Sequence, residues 1–254
     1  MFIRFSRLIF LFISSSLFAA GPITHAYLTD HLFVYFPKYS PEERKAFMVG
    51  TLFPDIQYLG ESMREDTHWD QISLAEVLEE PSPFLAGVKF HSYVDWVRED
   101  FVRAKNMYDF LSDEPNCSPP SLFLKLKLIE DEVIYPFGNW KEWRQCLIEI
   151  RKEELEWGID STLVRKWHNL LDTCFANPPS TILFLLSITK ANCLHISSEK
   201  VLEWNKVLKP KASSRQIQEF ILALIMHFDT QFYEASRTWQ MAPYLRTYLH
   251  TSVG

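Results

Sequence analysis

The stretch Pro83–Leu111, PFLAGVKFHSYVDWVREDFVRAKNMYDFL, decides the fold class. Pro83 suits the first turn of a helix, where its missing N–H would find no intrahelical partner anyway. The run from Phe84 to about Leu111 then sets Phe84, Val88, His91, Val94, Asp95, Phe101 and Ala104 at helical spacing, so they share faces. Residues four apart lie one turn apart on the same side of a helix. His91 and Asp95 can therefore present an imidazole nitrogen and a carboxylate oxygen to one cation, a donor set that suits zinc. The same spacing also makes an ordinary hydrogen-bonded His–Asp pair, so this motif alone does not choose. Gly87 interrupts the pattern. In mid-helix it costs about 1 kcal/mol relative to Ala, and close approach of another backbone is a physical reason to keep it.

Working outward, the chain stays helical in character. Seven glycines are few for 254 residues, and strict apolar/polar alternation is rare, which argues against many short strands. Ser40-Pro41-Glu42-Glu43 joins a cap, a first-turn proline and a glutamate placed for a capping box. Segments near 120–135, 139–157, 161–176, 179–191, 198–207 and 213–237 also read as helices, with breaks at Pro178-Pro179 and Pro210. Residues 60–83 and 112–120 are rich in Pro, Ser, Asp and Glu and read as loops. No internal repeat stands out. The simplest organisation is an all-α, single multi-helical domain over residues 20–254.

Residues 1–19 read as an export signal. Arg4 and Arg7 form a positive start, Leu8–Leu17 is apolar apart from serines, and Ala19 and Ala20 are small enough for cleavage. A retained anchor is the alternative, although the apolar run is shorter than the roughly 20 residues a span needs. Export would place the protein in the periplasm or outside the cell. Without the signal, 24 Lys and Arg face 32 Asp and Glu, a net charge of −8. That balance disfavours a stable nucleic-acid complex or affinity for anionic lipid, since both are polyanions. It leaves open a substrate phosphate held by metal ions, whose charge dominates locally. Cys117, Cys146, Cys174 and Cys193 allow three complete pairings, and their spacing does not select one.

His25, His31, Asp55, His68, His91 and Asp95 cluster in the first third of the mature chain. In Phe47–Ile56, a helix stops near Gly50 and Pro54-Asp55 presents a carboxylate from a loop, or an ordinary turn residue. His68 sits in the polar loop Thr67-His68-Trp69-Asp70, where a solvent histidine is the plainer reading. Asp70 beside it is a weaker candidate for a general base. His31, His195, His227 and His250 find no strong partner by spacing.

Taken as an ordered set, Thr24-His25, Gly50 with Pro54-Asp55, the loop His68, and Gly87 with His91 and Asp95 resemble the motifs of bacterial zinc-dependent phospholipases C. Fungal single-strand-specific zinc nucleases share that scaffold. The resemblance covers roughly residues 20–135. It implies an all-α fold with up to three zinc ions in a cleft. One zinc would be held by Asp55, His68, His91 and Asp95. A second, bridged by Asp95, would be held by His25 and by the amino and carbonyl groups of the mature N-terminal residue. Cleavage after Ala19 would put Ala20 five residues before His25, the spacing of the nucleases, although the family usually has Trp there.

The third site departs from the family. Glu99 stands where a further histidine is expected, and Lys127 with Asp131, or Glu130, occupies the region of the next ligand pair. Lys127 is a poor zinc ligand but could supply positive charge beside Glu99 and Asp131. His168 and Asp172 repeat the spacing downstream, on what reads as an amphipathic helix face.

The resemblance implies zinc-dependent hydrolysis of a phospholipid or other phosphodiester, with transient contact at a membrane surface. One or two zinc ions fit the residues better than three. Zinc would lower the pKa of bound water towards about 7, and Asp55 would both ligate and orient that water. The competing readings are a non-catalytic, metal-stabilised binding protein and a zinc nuclease.

Overall fold

The computed structural model describes residues 20–59, 67–111, 119–189 and 198–251. The expected signal segment, residues 1–19, lies outside them, as do Cys117, Cys193 and the side chains of His195 and His250. The described residues are helical and contain no strand, so the protein is all-α. No described helix is long and apolar enough to cross a membrane.

The helices that build the site come first in the chain. Helix α1 spans Pro22–Tyr35, α2 Pro41–Leu52, and a 3-10 turn follows at Pro54–Leu59. After α3 (Leu74–Glu79), helix α4 spans Pro83–Ala104 and α5 Met107–Leu111. Helix α6 runs Pro119–Ile134, followed by α7 (Trp140–Cys146), α8 (Lys152–Leu155) and α9 (Ser161–Ala176). The chain ends in α10 (Pro179–Thr189), α11 (Ser198–Ala212) and the long α12 (Arg215–Thr251).

Helix α1 escapes pattern reading because it is buried nearly all round. Ile23, Thr24, His25, Ala26, Leu28, Thr29, Leu32 and Phe33 all lie inside, leaving no polar face to reveal its period. Helix α3 falls within a stretch expected to be loop. Its signal is short but present: Ser73 caps Glu76 N while Glu76 returns to Ser73 N, a capping box. The expected 139–157 helix is two short helices instead, and α12 runs well past residue 237. Pro210 sits in the last turns of α11 rather than ending it at 207. The long run from Phe84 stops at Ala104, where Asn106 adopts a left-handed φ of 51° and turns the chain into α5.

Helices α2 and α4 make the tightest approach. A Cβ on Gly50 would meet Phe84 O at 2.0 Å, and one on Gly87 would meet Phe47 O at 2.1 Å. Each glycine thus admits the backbone of the other helix. Phe47, Phe53, Phe84 and Phe90 fill the space around this crossing. Helix α2 must end where it does because Pro54 has no N–H to give the carbonyl of Gly50. The freed carbonyls at that end find other donors. Phe53 N bonds Gly50 O at 3.3 Å, and Trp167 Nε1 on α9 bonds Leu52 O at 3.0 Å. Behind them, the buried pair His168–Glu154 at 2.7 Å ties α9 to α8, and Asp172 instead pairs with Arg144. His168 and Asp172 therefore do not act together. Cys146 and Cys174 are both unpaired.

Overpacking a tight core contact costs about 1–3 kcal/mol, occasionally more. Gly50→Ala and Gly87→Ala should each destabilise the protein by at least that amount, because the obstacle is backbone and cannot swing aside. Denaturant unfolding checks this; stability equal to the parent protein would show that the helices are not locked at these residues.

Candidate metal centre

Five side chains converge between α1, the 3-10 turn, the Thr67–Trp69 segment and α4. His91 and Asp95 project from one face of α4, one turn apart, with Nε2 3.4 Å from Oδ2. The α2–α4 crossing places the carbonyl of Thr51, freed at the end of α2, 2.9 Å from His91 Nδ1. A carbonyl only accepts, so Nδ1 carries the proton and Nε2 faces the cluster with its lone pair.

His68 is oriented in the same manner. Its Nδ1 lies 3.0 Å from Thr67 Oγ1, and that hydroxyl lies 3.5 Å from Pro54 O. With the hydroxyl donating to Pro54, it accepts from Nδ1–H and Nε2 faces the cluster. The segment is anchored to α4 by Trp69 N donating to Ser92 Oγ at 3.1 Å. His68 Nε2 then stands 3.1 Å from His91 Nε2, 3.8 Å from Asp95 Oδ2 and 4.0 Å from Asp55 Oδ1. Asp55 Oδ1 is 3.8 Å from His91 Nε2.

The other carboxylate oxygen of Asp95 faces α1. Asp95 Oδ1 lies 3.1 Å from His25 Nε2 and accepts from Ala20 N at 2.8 Å. The His25 ring stacks on the His91 ring, with centroids 4.0 Å apart and planes 12° from parallel. Asp95 thus stands between two overlapping donor sets: His25, His91 and Asp95, and Asp55, His68 and His91. Within each set the ligand atoms lie within 4.8 Å of one another.

The electrostatics favour a cation here. Asp55 Oδ1 and His25 Nδ1 are buried without a hydrogen bond, and His25 Nε2 has the Asp95 contact at 3.1 Å. Buried polar atoms left so are costly. His68 Nε2 and His91 Nε2 stand 3.1 Å apart between carboxylates, where a proton or a metal ion can lie among them. Asp95 is stabilised as an anion: burial opposes this, but His91 and His25 hold its pKa well below the ordinary carboxylate range. The protein is therefore all-helical with a buried His/Asp cluster whose donors fit a metal ion.

Several expected residues do not join the cluster. Glu99 is turned into a separate network one turn along α4. It accepts from Arg103 Nε at 2.7 Å and Tyr108 OH at 2.7 Å, with Arg98 Nη1 at 3.4 Å. Arg98 is buried and paired in bidentate fashion with Glu130 at 2.9 and 3.0 Å. Both oxygens of Glu99 thereby face Arg103, Tyr108 and Arg98, and the expected ligand is not brought together with the cluster. Asp70 lies on the exposed turn before Gln71, whose φ is 56°, and no contact carries it to the cluster. Asp131 accepts from Thr24 at the start of α1, and burial pushes its pKa up to about 7 against those bonds. His31 finds a partner that spacing could not show, Asp229 on α12 at 2.8 Å, remote in sequence. Tyr93 belongs to the core, packed on Phe90 and Phe228. Sequence reading missed Thr51, Thr67 and Ser92, which orient the ligand residues. Only the threonines' place beside the Pro54 stop and His68 hinted at them. Comparisons with family models, with curated proteins and with solved structures find no match to this chain.

The metal-free protein has a signed pH dependence. Burial, with His91 adding to it, drives the His25 pKa from 6.5 down to about 4. Between those values the unfolded chain binds the extra proton, so His25 removes stability as pH falls from 6.5 towards about 4. His91 has the opposite sign. Burial lowers its pKa, but Asp95 and Asp55 more than offset this and raise it. Its contribution is therefore full below 6.5 and lost as pH climbs through the folded value. In chelator-treated protein, His25→Gln should flatten the acid side of the stability profile between pH 7 and 4. Denaturant unfolding at stepped pH measures it, and an unaltered acid side would assign the loss to other groups.

Proposed function

We propose that the protein is a zinc-dependent hydrolase of phosphodiester bonds, of the kind represented by bacterial zinc-dependent phospholipases C. The observation that carries this reading is the posture of Asp95. One of its oxygens faces His68 and His91, and the other faces His25 and Ala20 N. A buried carboxylate whose two oxygens face different donors, with His91 common to both donor sets, is suited to bridging two cations.

The donors around His68 and His91 fit zinc by size as well as chemistry. Donors about 2.0–2.1 Å from zinc lie about 3.3 Å from each other at tetrahedral angles. His68 Nε2 and His91 Nε2 stand 3.1 Å apart and 3.4 to 4.0 Å from Asp55 Oδ1 and Asp95 Oδ2. Mixed imidazole and carboxylate donors also favour zinc over the hard cations. His25 and Asp95 would hold the second ion. Cleavage after Ala19 would add the freed amino group of Ala20, whose nitrogen already lies against Asp95.

Zinc, when bound, supplies Lewis acidity and a water acidic enough to ionise near neutral pH. The chain's own residues do the rest. Thr51 O and Thr67 Oγ1 hold His91 and His68 with Nε2 aimed inward. Asp55 would ligate through Oδ1, a buried oxygen that accepts no hydrogen bond, and is our candidate to orient water. An exported enzyme of this kind would meet phospholipid at a membrane surface. A second reading, a metal-stabilised binding protein without turnover, is favoured by Glu99 and Asp131 being engaged elsewhere.

Mature protein beginning at Ala20 should contain zinc stoichiometrically by elemental analysis. It should hydrolyse a simple phosphodiester and short-chain phosphatidylcholine. His91→Ala should lose the zinc, the activity and folding stability together, because metal binding is coupled to folding. Full zinc content without turnover would favour the binding protein. Cleavage of single-stranded nucleic acid alone would favour the nuclease, and absence of metal would remove all three readings.

A further inference from the structure

We propose that Asp131 is a positioning residue: it caps α1 from a distant helix and thereby fixes His25 and Ala20 against Asp95. This rests on the metal reading above, but gives Asp131 a task other than ligation.

His25 differs from the other two histidines of the cluster. His91 is oriented by Thr51 O and His68 by Thr67 Oγ1. No group outside the cluster orients His25: Nδ1 is buried without a partner, and Nε2 meets Asp95 Oδ1 itself, at 3.1 Å. Its ring is otherwise placed by stacking on His91 and by the backbone that carries it. The position of that backbone therefore decides where Nε2 points.

The backbone is held by Asp131. Helix α1 begins after Gly21, which has no side chain to cap it, and Pro22 has no N–H. Asp131, on α6, supplies the missing acceptor. Its Oδ1 accepts from Thr24 N at 2.9 Å and from Thr24 Oγ1 at 2.8 Å, and its Oδ2 accepts from Ile23 N at 3.4 Å. A carboxylate here also complements the positive end of the helix. The capped residues lie between the two that meet Asp95, namely Ala20 and His25.

Gly21 completes the fit. A Cβ there would stand 2.2 Å from Asp131 Oδ2, so any larger residue would push the carboxylate from its place under the chain. The segment Ala20–His25 is thus pinned on Asp95 at both ends and on Asp131 between them. With its oxygens turned to Thr24, Ile23 and the Gly21 backbone, Asp131 serves as a cap.

Cobalt(II) titration of the purified mature protein, followed by its visible spectrum, reads the two donor sets. Amide exchange at Ile23 and Thr24 and the ring-current-shifted His25 resonances read the positioning without metal. Asp131→Ala should speed exchange at both amides and move the His25 resonances. It should also weaken the second cobalt by about tenfold or more, the usual scale for loss of an outer partner, and leave the first unchanged. Asp131→Asn keeps an oxygen for Thr24 and should restore all three readouts to near the parent values. Should Asp131→Ala not fold, Gly21→Ala displaces the cap with the carboxylate retained and should give the same pattern. Unchanged exchange and His25 resonances overturn the proposal, whatever the cobalt shows. Failure of the asparagine variant to rescue also overturns it and assigns the effect to charge. Altered exchange and resonances in a protein that binds no cobalt leave the positioning intact and reject the metal reading alone.

Discussion

The backbones of α2 and α4 touch at Gly50 and Gly87, at distances that no side chain on either residue could survive. This contact brings the frayed end of α2 against the middle of α4. The carbonyl of Thr51, which Pro54 and the helix end leave without its usual donor, then meets His91 Nδ1. One steric fact thus fixes a tautomer. Asp55, just past the same proline, is delivered to the same point by the 3-10 turn that follows. If the helices stood further apart, the imidazole would lose its orienting partner and Asp55 its place.

Around that contact the protein concentrates charge in its interior. Asp55, Asp95, His25 and His91 are buried, and the network of Arg98, Glu99 and Glu130 lies immediately beyond. The two regions solve the problem of buried charge differently. Arg98 carries its own cation into the core and is satisfied by Glu130, Glu99 and Tyr108. The His/Asp cluster instead gathers imidazoles and carboxylates around one point, an arrangement that could hold a cation from outside. Glu99, one turn from Asp95, belongs to the first solution. This confines the metal-fitting region to the side of α4 that faces α1 and α2.

Much of the candidate site was legible before any coordinates. His91 and Asp95 follow from helical spacing, and Asp55 from a helix stop at Gly-Thr-Leu-Phe-Pro. Close approach of another backbone is one reason the sequence offers for Gly87. The structure identifies the partner as α2, and Gly50 as its counterpart. Helix α1 carries no periodic signal because nearly every face of it is buried. Asp70 and Glu99 looked suitable because they neighbour true cluster members. Sequence proximity cannot show that one faces solvent and the other faces Arg103 and Tyr108.

The sequence by itself determined the helical class and which residue types stand one turn apart, since both depend on the local geometry of a single helix. It also determined the stop at Pro54, because a missing N–H acts wherever the chain lies. Only the tertiary structure decided which donors converge. The approach of α2 to α4, the stacking of His25 on His91, and the capping of α1 by Asp131 join residues tens to more than a hundred positions apart. Such pairings are set by packing and by the need to satisfy buried polar groups, and no local pattern encodes them.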